Sequence, residues 1–162
     1  MRLRRAKQTD EELLFHWSND AITRAMSFST ERITRQDHRL WLQARLPVQP
    51  ACLYIAELIE PVGVVQFQII HRTHQVAYQN KAYEVGIQVE CESRGQGLAR
   101  TMIELATELF FEQYAENDLY ARIKLENVKS LKAFQKAGFR ALGLDKVGEV
   151  ECSMLVKSRI KT

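Results

Sequence analysis

The run YEVGIQVECESRGQGLARTMIELATELFF, residues 83–111, decides the fold. Tyr83, Val85, Ile87 and Val89 alternate with Glu84, Gly86, Gln88 and Glu90, the period of two that marks a strand with one buried face. From Leu98 onward the period changes. Leu98, Met102, Leu105 and Leu109 share one side and Thr101, Glu104, Glu108 and Glu112 the other, which predicts a helix of about four turns starting near Gly97. A loop with two glycines thus joins the end of a strand to the start of a helix.

The first turn of a helix leaves about four N–H groups without partners and carries partial positive charge, so such a junction receives anions. Gly95 and Gly97 lack a Cβ, which lets a ligand approach the main chain and lets the turn use positive φ; Arg94 adds a full charge beside them. A Walker loop is excluded because no Gly-x-x-x-x-Gly-Lys-Ser/Thr occurs, and a dinucleotide fingerprint starting at Gly95 would need Gly or Ala where Arg100 stands. A glycine-rich turn without a ligand would share the pattern.

After this helix come a strand-like run, Leu119 to Leu125, then Asn127, Ser130, Phe134 and the pair Gly138-Phe139. Arg94-x-x-Gly97-x-Ala99 resembles the acyl-CoA pyrophosphate loop of the GNAT superfamily of N-acetyltransferases, and the later series resembles that family's block flanking the pantetheine arm. The two cover residues 83–156, about half the chain. The resemblance implies acetyl-CoA as acetyl donor, held by Ile87, Gln88, Val89, Arg94, Gly95, Gln96, Gly97, Leu98, Ala99, Asn127, Ser130 and Phe134. It also implies that the strands 83–89 and 119–125 splay apart, freeing main-chain groups at Ile87 to Val89, and that the Val89 N–H meets the oxyanion. Phe134 departs from the pattern, since many members carry there a Tyr that protonates the thiolate.

Composition bounds the remainder. At 162 residues, 46% hydrophobic and 27% charged, the chain reads as one soluble domain spanning 1–162. A net charge of +3 calls for no nucleic acid and suits an anionic small ligand. Cys52, Cys91 and Cys152 are odd in number and far apart, so the expectation is a reduced, cytoplasmic setting with no metal site. Cys91 adjoins the loop and reads either as a reactive thiol or as apolar filler. No signal-peptide pattern or membrane span is expected. Self-association into a homodimer stays open.

Along the chain, Leu3 to Ala6 reads as a first strand and Thr9-Asp10 with Glu12 as a helix start, followed by the apolar Leu13, Leu14 and Trp17. A further segment passes through Ile22 and Met26. Thr34 caps another helix with Leu40, Trp41 and Leu46 on its inner side. Strands are expected at Cys52 to Leu58, Val64 to Ile70 and Glu149 to Val156, and a loop at His71 to Lys81. The order β, α, α, β, β, β, α, β, α, β gives an α/β (α+β) fold: a mixed, largely antiparallel sheet flanked by helices.

Acylating an amine with a thioester requires a neutral nitrogen. For an amine of pKa ~8 deprotonation at pH 7 costs only about 1.4 kcal/mol, against about 4.6 kcal/mol for a lysine. A modest base suffices, and Glu84 is the candidate, its alternative reading being an exposed strand carboxylate. Lys129, Lys132 and Lys136 share one helical face, suited to a nucleotide phosphate or to solvent.

For the acceptor, Trp17-Ser18-Asn19-Asp20, Met26-Ser27-Phe28-Ser29, His38 and Trp41 resemble a GNAT subgroup of bacterial nucleotide-sugar pathways. This implies a small-molecule amine acceptor, first an amino sugar on a nucleotide carrier, touched by Trp17, Met26, Ser27, Phe28, His38 and Trp41. Trp17 and Trp41 also suit core packing, and His38 a helix surface. Acetylation of a protein N-terminus and a non-catalytic CoA-binding module are the alternatives.

Overall fold

The computed structural model describes residues 1–48, 52–70 and 82–159. Seven strands form one sheet in the order β1-β2-β3-β4-β5-β7-β6. They are β1 (Arg2–Arg5), β2 (Leu53–Glu57), β3 (Pro61–Ile70), β4 (Ala82–Val89), β5 (Leu119–Lys124), β6 (Arg140–Val147) and β7 (Val150–Lys157). Every pairing is antiparallel except β4 with β5. The helices are α1 (Glu11–Ser18), α2 (Ala21–Met26), α3 (Arg35–Arg45), α4 (Leu98–Gln113) and α5 (Val128–Lys136).

Both sheet faces are covered, and the strand period of two sorts the cores. Tyr54, Ala56, Val65, Phe67, Val85, Ala121 and Ile123 join Met102, Ile103, Ala106 and Phe110 of α4 and Phe134 of α5. On the other face Leu53, Ile55 and Val64 meet Leu14, Trp17 and Leu42 of α1 and α3.

Several expectations shift. The inner stripe of α4 centres on Met102, Ile103, Ala106 and Phe110, with Leu98 and Leu109 at its flank, because α4 crosses large aromatic neighbours on β3 and β4. In α3 the inward residues are His38 and Leu42, whereas Leu40 is exposed. The single last strand expected at 149–156 is a hairpin, β6 and β7, with Val147 opposite Val150. The loop expected at His71 to Lys81 lies outside the described residues. No helix among the described residues is long and apolar enough to cross a membrane.

Candidate active site

β4 and β5 pair only at Tyr83↔Leu119 and Glu84↔Tyr120. Beyond that they part, and β5 continues on β7 while β4 continues on β3. The fork expected from the sequence is present.

Glu84 stands at its apex. One carboxylate oxygen accepts the Arg122 N–H at 3.1 Å and Nε at 2.9 Å; the other accepts Arg122 Nη2 at 2.8 Å and Gln68 Nε2 at 2.6 Å. The parting of the strands leaves the Arg122 N–H without a ladder partner on β4, and the carboxylate takes that place. Glu84 is 5% exposed, so it is neither the surface carboxylate nor the free base that its position in the sequence suggested. With four donors in place its lone pairs are committed. The pair holds Arg122 above the ordinary guanidinium value, an effect that outweighs burial.

The ladder fixes which amides face the gap. Glu90 N–H donates to the Val62 carbonyl at 2.9 Å, and β3 and β4 run in unbroken antiparallel register from there. Bonded pairs therefore fall on Gln88, Gly86 and Glu84, and the main-chain groups of Ile87 and Val89 point toward β5. The Val89 carbonyl is taken by Arg94 Nε at 3.1 Å. Its N–H faces the gap.

After β4 the Glu90 carboxylate accepts the N–H groups of Glu92 and Ser93, each at 2.9 Å, and these bonds pull it down to about 2. It also accepts the Ser93 hydroxyl at 2.9 Å and the Cys91 thiol at 3.0 Å, and the thiol is thereby held above the ordinary thiol value. Cys91 is exposed and a protonated donor, neither buried filler nor an activated nucleophile.

Gly95 and Gly97 have φ of 80° and 77°, and a Cβ at either would meet nothing within 4 Å. Gly97 is the N-cap of α4, which has no side-chain cap. Open space over left-handed glycines at an uncapped helix start fits a diphosphate. Gln96 is exposed, and Leu98 and Ala99 are half-buried where α4 begins. Arg94 points elsewhere: Nη2 donates to Asp20 at 2.6 Å and to Thr23 Oγ1 at 3.1 Å. Burial works against the Asp20 charge, but Arg94 and the Thr23 donors outweigh it and hold Asp20 below the ordinary carboxylate value. The charge expected beside the diphosphate is thus already paired.

On the β5 arm, Asn127 caps α5 by accepting the Ser130 N–H at 3.2 Å. Phe134 is 2% exposed and packs edge-to-face on Phe139 at 5.0 Å, so it is a core side chain rather than a free wall for a pantetheine arm. Lys129, Lys132 and Lys136 are exposed.

The face of the sheet shared by Glu84 also bears Gln66, Gln68, Arg122 and Lys124. Lys124 Nζ donates to the Ala25 carbonyl at 2.9 Å, which brings α2, and with it Met26, Ser27 and Phe28, over the open end of the fork. Arg24 orders the following turn through Ser27 Oγ and the Ser29 carbonyl, at 2.9 and 3.1 Å. Trp17 and His38 are not at this place. Trp17 is 6% exposed within the core under α1 and α3, and its indole has no surface to offer a ligand. His38 is 2% exposed against Phe15 and Trp41, with both ring nitrogens unpartnered, and burial lowers its pKa. Trp41 is half-buried beside Arg45. A cavity of about 560 Å³ between α1 and residues 32–35 includes Asp20 but none of the expected acceptor residues.

Arg122, Lys124 and Asp145 were not foreseen. Asp145 pairs with Cys152 on β7, in the row that continues to Lys124, and is 4% exposed with both oxygens unpartnered. Burial and Asp145 together push the Cys152 thiol up to about 11. Alternation on a strand could have grouped Arg122 with Lys124, but not with Glu84, 38 residues away.

Residues 1–140 match the family profile described as an acetyltransferase (GNAT) domain. The chain belongs to the GNAT acetyltransferases, a family whose acetyl donor is acetyl-CoA. Its fold is shared by AAC(6')-Ib in complex with ribostamycin and coenzyme A, with a TM-score of 0.82 at 20% identity over 97% of this chain and 92% of that one. A protein provisionally assigned as a phosphinothricin N-acetyltransferase has a TM-score of 0.76 at 27% identity over 97% of both chains. The ribosomal-protein-alanine N-acetyltransferase from Brucella melitensis has a TM-score of 0.76 at 20% identity over 98% of this chain and 100% of that one. No curated protein matches the chain in sequence.

Proposed function

We propose that this acetyltransferase modifies a primary amine on a small, hydroxyl-rich acceptor, an amino sugar on a nucleotide carrier being the first candidate. One observation carries the reading: the face of the fork opposite α4 is a polar strip, Gln66, Gln68, Glu84, Arg122 and Lys124, closed over by α2. Amide, guanidinium and ammonium side chains suit hydroxyls and an amine better than an apolar acyl chain. The likeness to aminoglycoside acetyltransferases supports the same class of acceptor.

Bound at the fork, acetyl-CoA supplies a thioester carbonyl open to attack by the amine. The loop from Gly95 to Ala99 would hold its diphosphate on main-chain N–H groups, and Ile87 and Val89 would pair with its pantetheine amides. The Val89 N–H, aimed into the gap, is the donor for the carbonyl oxygen as negative charge develops there. Glu84, paired with Arg122 and Gln68, holds those two side chains at the fork, and the proton of a pKa ~8 amine leaves to water at a cost of about 1.4 kcal/mol. The departing thiol, with a pKa near ~8.5, needs no dedicated acid, which accommodates Phe134.

Thiol release from acetyl-CoA, followed across amino-sugar nucleotides, aminoglycosides and alanine-terminated peptides, tests the proposal. Turnover with the sugars alone supports it; turnover with the peptides alone replaces it with N-terminal acetylation.

A further inference from the structure

The short helix α2 touches both arms of the fork. At its start Asp20 accepts the Thr23 N–H at 2.9 Å and the Arg94 guanidinium at 2.6 Å, and Arg94 is itself fixed to the end of β4 through the Val89 carbonyl. Near its other end, the Ala25 carbonyl accepts Lys124 Nζ at 2.9 Å, and Lys124 is the last residue of β5. Because β4 and β5 pair only at their beginnings, Val89 and Lys124 are the two tips of the open fork.

None of the six residues of α2 is fully buried; Thr23, Arg24 and Met26 are half-buried, and the polar tethers add to that limited packing. The lysine tether is firm because the Lys124 side chain is 10% exposed, with the Ala25 carbonyl and Glu126 as its hydrogen-bond acceptors.

We infer that α2 is a strut across the mouth of the fork, and that Asp20 and Lys124 are positioning residues which, through it, set Met26, Ser27 and Phe28 against the acceptor. The inference rests on the acceptor reading above. It makes a pair in the donor loop, Arg94 with Asp20, a determinant of acceptor binding.

Asp20→Asn keeps an N-cap for α2 and loses the charge that holds Arg94. Lys124→Met keeps the stem and loses the amine. Each variant is expected to raise acceptor KM about three- to tenfold without weakening acetyl-CoA binding, Asp20→Asn leaving the Arg94 charge free for the diphosphate. The double variant is expected to lose little more than the worse single one, because a strut freed at one end no longer transmits from the other. Unchanged acceptor KM in both single variants, or losses that multiply, would overturn the inference. Lys124→Arg retains a donor for the Ala25 carbonyl and is expected to restore KM, which separates the tether from a general loss of folding. Hydrogen exchange supplies a readout that needs no acceptor: in either single variant, amides throughout residues 21–26 should exchange faster, including at the end still tethered. Loosening confined to the altered end contradicts the strut, whereas failure of every amine acceptor with faster exchange throughout α2 removes the acceptor reading alone.

Discussion

Arg94, the arginine of the anion loop, points its guanidinium away from that loop and onto Asp20, 2.6 Å away and 74 residues earlier in the chain. Its charge is therefore neutralised before any diphosphate arrives. Both side chains are about a quarter exposed, and pairs of that kind contribute ~1 kcal/mol or less.

Replacing Arg94 by Gln is accordingly expected to weaken acetyl-CoA binding by no more than about tenfold, measured by titration calorimetry. A loss of a thousandfold would mean that the guanidinium leaves Asp20 for the phosphates.

Gly97→Ala is the sharper probe of the cradle. The new methyl meets no protein atom within 4 Å, so the fold bears only the left-handed strain, ~1–2 kcal/mol. Acetyl-CoA affinity is expected to fall by more than that strain accounts for, because the methyl projects into the space the ligand needs. Melting temperature and Kd measured together check this, and an unaltered Kd would move the diphosphate elsewhere.

Glu84→Gln removes one partner of a buried pair and should destabilise the protein by about 3 kcal/mol in denaturant unfolding. Where the purified variant remains folded, kcat should drop while the acid limb of the pH–rate profile stays where it is. A limb that disappears in the variant would restore Glu84 as the proton acceptor.

His38 predicts an acid-sensitive packing of α1 on α3. Burial lowers its pKa below 6.5, so the unfolded chain takes up a proton where the folded one does not. The buried neutral ring contributes fully above about pH 6.5, and stability is lost as pH falls below that value toward the lower folded pKa. His38→Leu should flatten the stability curve between pH 6.5 and 5; an equal slope in the variant would place the sensitivity in other groups.

How much of this was legible in the sequence follows from the range of the interactions. The switch of period from two to 3.6 around Gly95 and Gly97 is local, and it located β4, the glycine loop and α4 to within a residue or two. β6 was missed because Arg140, Gly143, Asp145 and Lys146 give a strand almost no β-branched signal, and edge strands tolerate such residues. Trp17 and His38 were expected at the acceptor from the family resemblance, with core packing as the other reading for Trp17 and a helix surface for His38; the α1–α3 packing that buries both is tertiary. Glu84 with Arg122 and Arg94 with Asp20 are contacts across 38 and 74 residues, for which a single sequence carries no local pattern.

A crystal structure of the acetyl-CoA complex tests the central claim most directly. The diphosphate should lie on the N–H groups of Gly95 to Ala99, with pantetheine amides paired to Ile87 and Val89 and the thioester oxygen within hydrogen-bond reach of the Val89 N–H. A diphosphate bound away from the start of α4, or β4 and β5 zipped together beyond Glu84 with the ligand outside them, would contradict it.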